Sequence, residues 1–136
     1  MSRSNNWRTL DVPLTGEVQM SLGELADGWS AHVRRIIDEF DARQEDRTTW
    51  GAHDYVAALH LRDAIERGLQ MLDESSRAAA LDQVAATDQE FSDQTEDDQG
   101  TLLSAFLGSS GDAWWWQRIP VRGPIRSEVA GGGTSA

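Results

Sequence analysis

Apolar residues that recur at three- and four-residue steps constrain this chain more than any other feature, because that period puts one stripe on one face of an α-helix. Leu22, Leu25, Trp29, Val33, Ile36, Ile37 and Phe40 form the first stripe. Ser21 stands before it as an N-cap, and Glu24 completes the reciprocal capping pattern. A polar stretch from Asp41 to Arg47 precedes a second helix, which starts near Thr48 or Thr49 and runs to about Leu72. Its stripe is Tyr55, Ala58, Leu61, Ile65, Leu69 and Leu72, widened by Val56 and Leu59. The turn Asp73 to Ser76 offers serines to cap a third helix, so helices two and three form an antiparallel hairpin. Ala80, Leu81, Val84, Thr87 and Phe91 are its thinner stripe. The acidic run Ser92 to Gln99 ends that helix, and Thr101 to Leu107 gives a short one stopped by Gly108.

No β alternation extends beyond a few residues. The expected fold is therefore all-α, a compact antiparallel helical bundle of three long helices plus one short helix over residues 21–107. Residues 1–20 read as an irregular N-terminal arm or a short strand. Residues 108–130 read as an extended Trp/Arg/Pro segment packed on the bundle, and residues 131–136 as a flexible tail. A length of 136 residues suits one domain.

The segment from Trp114 to Ile125 is the part a bundle explains least. Pro120, Gly123 and Pro124 oppose a helix, and in an extended chain successive side chains point to opposite sides. Three adjacent tryptophans then cannot share one core. If Trp114 and Trp116 pack inward, Trp115 points away. Two readings follow: a lid whose outward ring Trp7 or Trp50 covers, or a partner-binding surface made of Trp114, Trp115, Trp116, Arg118 and Arg122.

Charge divides the chain. It carries 23 acidic residues against 12 basic ones, a net of -11, and all the basic residues are arginines. Residues 38–98 hold 17 acids and five arginines, a net of -12, so the ends together carry +1. An acidic body disfavours direct binding to a nucleic-acid backbone. The absence of cysteine and lysine excludes thiol nucleophiles, disulfides, thiolate metal sites, Schiff-base chemistry and a phosphate-loop lysine. No signal-like or membrane-spanning run is present, which gives the expectation of a cytoplasmic protein with no membrane partner.

Histidines offer little chemistry. His53 and His60 lie seven apart on the second helix without the further ligands a metal needs, so they read as solvated or capping groups, and His32 reads as a packed one. The acids are more specific. Asp63-x-x-Glu66 and Glu90-x-x-Asp93 resemble the paired acidic motifs of the all-α nucleotide pyrophosphohydrolases, over residues 63–93 and with Asp63 where that family has glutamate. The resemblance implies that Asp63, Glu66, Glu90 and Asp93 hold magnesium against a nucleoside triphosphate. The leading expectation instead needs no cofactor or metal and no catalytic residues. It is a small acidic protein-binding module, of the inhibitor, immunity or antitoxin type, that recognises a basic partner surface or associates with itself.

Overall fold

The computed structural model describes residues 6–14, 17–39, 51–108 and 111–132. The chain is mostly helical, with α1 (Leu22–Asp38), α2 (Ala52–Met71), α3 (Glu74–Asp93), α4 (Thr101–Leu107) and α5 (Pro124–Gly132). Two small antiparallel sheets pair β1 (Asp11–Pro13) with β2 (Gln19–Ser21), and β3 (Thr95–Asp97) with β4 (Arg118–Pro120).

The first helix starts where its capping residues require. Ser21 Oγ accepts from the Glu24 N–H at 3.1 Å, and the Ser21 N–H donates to Glu24 Oε1 at 3.0 Å. This reciprocal pair satisfies two donors that a helix terminus otherwise leaves open. The stripe from Leu22 to Ile36 is buried as the period demands. Phe40, the linker Asp41 to Arg47, the expected start of the second helix at Thr48 or Thr49, and Trp50 lie outside the described residues.

At the start of α2, Gly51 has no side chain to cap with. Two carboxylates substitute: Asp54 accepts the Gly51 N–H at 2.9 Å, and Glu128 from α5 accepts the Ala52 N–H at 2.9 Å. The second of these bonds joins positions 76 residues apart in sequence. Glu128→Ala is therefore expected to destabilise the fold by about 1 kcal/mol, the usual magnitude of a lost cap, read as a lower urea midpoint with an unchanged slope.

The third helix is capped by Asp73, not by the serines expected to do so. Asp73 Oδ1 accepts the Ser76 N–H at 2.7 Å, while Ser76 itself is buried. Hydrogen bonding to Ser76 holds the Asp73 carboxyl below its usual range. The sign follows: this cap contributes above the ordinary carboxylate pKa and is lost as pH falls through the lowered one. Leu81, expected in the stripe, is exposed, and burial falls on Ala80, Val84, Thr87 and Phe91. The rings of Trp29 and Phe91 lie 5.1 Å apart, with Tyr55 6.2 Å from Phe91, so the three main helices meet in an aromatic cluster.

Outside the first four helices, one of the two readings of the N-terminal arm holds and the C-terminal expectations need correction. In the N-terminal arm the short-strand alternative is the one present: β1 pairs with β2, Val12 opposite Met20, after a 3₁₀ turn at Trp7–Thr9, and Trp7 and Val12 are buried. Among the described residues of the C-terminal segment 108–130, only Arg118–Pro120 form an extended strand. Trp114–Gln117 form a 3₁₀ turn, Arg118–Pro120 pair with Thr95–Asp97, and Pro124 opens a helix. Proline is tolerated in the first helical turn because the N–H it lacks has no partner there. Ile125 and Val129 bury the face of that helix. The helix also takes in residues 131 and 132 of the expected tail, whereas 133–136 lie outside the described residues. Gly108, at φ 88°, ends α4 in the left-handed region that favours glycine.

Candidate functional site

Adjacent residues in a 3₁₀ turn are about 120° apart around the axis, so three consecutive tryptophans diverge in three directions. That geometry, rather than strand alternation, assigns their roles. Trp115 and Trp116 are buried, and both indole N–H groups donate to Asp63 Oδ1, at 2.8 and 2.9 Å. Trp116 also reaches Asp63 Oδ2 at 3.1 Å. The outward ring is Trp114, which is 40% exposed, and not Trp115. Trp114 stands edge-on to Trp115 and tilts against Phe91 with centroids 6.1 Å apart. Gly111 permits this seat, because a Cβ there would stand 2.8 Å from Trp116 Cδ1.

Beneath the tryptophans lies a charged centre that the sequence reading missed. Arg62 of α2, with a side chain only 4% exposed, grips Asp88 of α3 through two parallel bonds of 2.9 Å. Trp29 of α1 donates its indole N–H to the same carboxylate at 2.9 Å. The Arg62 guanidinium also lies 4.3 Å from the centre of the Trp115 ring, and reaches Glu66 at 3.4 Å. A planar guanidinium can fork onto a carboxylate and stack on an aromatic face together; an ammonium cannot. α1, α2, α3 and the tryptophan turn thus share one polar junction. Arg62 sits beside the apolar stripe and Asp88 beside Thr87, but nothing in the sequence marks them as partners.

The other expected contact residues separate into two groups. Arg118 faces inward, donating to Thr95 Oγ1 at 2.8 Å and to the Thr95 and Ser92 carbonyls, so it fastens β4 to the end of α3. Its own carbonyl accepts the Tyr55 hydroxyl at 2.7 Å. Burial, with Asp98 nearby, pushes the Tyr55 phenol pKa well up, so it stays a neutral donor. Arg122, like Trp114, is exposed.

The four carboxylates of the hydrolase resemblance face different partners. Asp63 meets two indoles, Glu66 meets Arg62 and Gln70, Glu90 meets Arg34 at 3.1 Å, and Asp93 meets Gln89. Among the described residues no group of three or more His, Asp or Glu is placed to hold a metal ion. His53 lies against Phe106, His60 stands edge-on to Trp116, and His32 Nδ1 is 2.8 Å from the Gly28 carbonyl. Among the described residues no helix is long and apolar enough to cross a membrane.

No protein-family model matches the chain, and neither the curated proteins nor the solved structures contain a significant match.

Proposed function

We propose that this chain is a small acidic protein-binding module of the cytoplasm that recognises a basic partner surface, as an inhibitor, immunity or antitoxin-type protein does. The observation that carries this reading is the position of Trp114. The two tryptophans that follow it are held inside by Asp63, while its own ring lies on Phe91 with 40% of the residue open to solvent. Phe91 lies in the last turn of α3, and the exposed acids Asp93, Glu96 and Asp97 follow within six residues, Glu96 paired with Arg126 at 2.7 Å. A rigid aromatic ring packed on the helix turn that leads into these acids suits a cationic partner. The charge steers the encounter, and the ring sets how long the complex lasts.

Capture from the native host at low and high salt tests the reading. The expected partner is basic, and its association slows as salt rises, because exposed charges are screened over about 10 Å at 0.1 M. Trp114→Ala is expected to weaken capture at least tenfold while leaving the fold intact. A partner whose association ignores salt, or one captured equally well by the Trp114 variant, would remove the proposal. Concentration-dependent dimerisation that Trp114→Ala abolishes would assign the ring to a second copy of the chain instead.

A further inference from the structure

Along α2, Ala57, Leu61 and Ala64 follow one another at four- and three-residue steps and so form a single line that runs from exposed Ala57 through half-buried Leu61 to buried Ala64. Two of the three are alanines flanked by longer side chains, which leaves a groove of about 470 Å³. Leu14, just past β1, closes one side, and His60, Asp63 and Arg67 complete the rim. The size falls within the roughly 300–1,000 Å³ of small-molecule sites.

The rim carries one carboxylate, Asp63, and one guanidinium, Arg67. Asp63 accepts from the Trp115 and Trp116 indoles and stands 3.7 Å from His60, which itself lies edge-on to Trp116, so Arg67 is the rim group with donors to spare. His60 has a side chain 67% exposed. Arg67 is exposed and gives one bond, to the Pro13 carbonyl at 3.2 Å; a guanidinium carries five N–H donors, enough to add a carboxylate. Arg67 and His60 are seven residues apart on α2, or ~10.5 Å along the axis, with the apolar line between them.

The geometry points to a binding site for a medium-chain aliphatic carboxylate, with its carboxylate on Arg67 and its chain laid over Ala64, Leu61 and Ala57 toward the His60 ring. The spare N–H fork of Arg67 selects a planar two-oxygen head group, and the alanine floor selects an unbranched chain. The inference is independent of the protein-binding reading, since the groove uses neither Trp114 nor the acids that follow Phe91.

Octanoate titrated into the full chain, followed by amide chemical shifts, is the direct test. Binding is expected to move the signals of Leu14 and residues 57–67. Butanoate should bind at least tenfold more weakly, because each methylene buried is worth roughly a fourfold gain and butanoate has four fewer. Arg67→Gln should weaken octanoate at least tenfold, and Ala57→Leu, which fills the groove from an exposed position, should abolish the local shifts. Octanamide binding as tightly as octanoate would assign the groove to an uncharged apolar segment and overturn the inference. No shift at millimolar octanoate, shifts centred elsewhere, or octanoate binding that Arg67→Gln leaves unchanged would also overturn it.

Discussion

Replacing Arg62 with alanine is expected to destabilise the fold by about 3–5 kcal/mol, the usual cost of breaking a buried ion pair by removing one partner. The size comes less from the attraction lost than from what remains: Asp88 stays largely buried, with only the Trp29 indole to hold its charge. Because single domains hold together by only about 5–15 kcal/mol in total, the variant should melt well below the parent. Arg62→Lys should recover little, since an ammonium can neither fork onto Asp88 nor stack flat on Trp115. Pairing Arg62→Leu with Asp88→Asn should recover more. It removes both charges together, and the asparagine carbonyl can still accept the Trp29 indole. Urea unfolding of the four chains decides the matter. A loss for Arg62→Ala below about 1 kcal/mol, typical of exposed pairs, would mean that the junction is open to water and does not hold the helices together.

What was legible in the sequence was what local chemistry alone determines. The capping box of α1 and the stripe from Leu22 to Ile36 involve residues within a few turns of one another, and the structure has them where the spacing puts them. The errors lie where distant residues decide. Leu81 fits the third stripe by period, yet α3 is rotated so that Ala80 and Val84 face the core. The Asp73 cap lay two residues before the serines expected to do its work, in a turn where aspartate and serine cap equally well. Strands of three residues are too short to show alternation, and α5 was concealed by a proline that opens it and by the glycines at its end.

The candidate site was harder still. With 17 acids between residues 38 and 98, no rule of spacing selects Asp88 as the partner of Arg62, 26 residues away. Helix packing selects it. The tryptophan run was visible as a feature, but its outward member depends on whether the backbone is extended or in a 3₁₀ turn. Asp63 and Gly111 settle that: the first collects two indoles at once, and the second lets the Trp116 ring approach the chain closely. Trp115 and Trp116, expected to face a partner, are buried instead, and Arg118 is half-buried and faces inward.

Trp115→Ala is the second large effect, expected at about 3–5 kcal/mol, as for other buried aromatic truncations. Three losses combine there. The cavity left by the ring removes its packing, Asp63 loses one of its two indole donors, and Arg62 loses the face it lies over. The third loss makes a sharper test than stability alone. Because Trp115 and Arg62 touch, a double-mutant cycle between them should give a coupling of about 0.5–3 kcal/mol, whereas Trp114 and Arg62 should be additive within about 0.5 kcal/mol. Trp114→Ala, by contrast, should cost much less, since its ring is partly solvated in the parent. The order of these losses therefore separates a structural ring from a contact ring in the same tripeptide. If Trp114→Ala proved as destabilising as Trp115→Ala, the whole run would be a lid, and the proposed anchor would have to lie elsewhere on the surface.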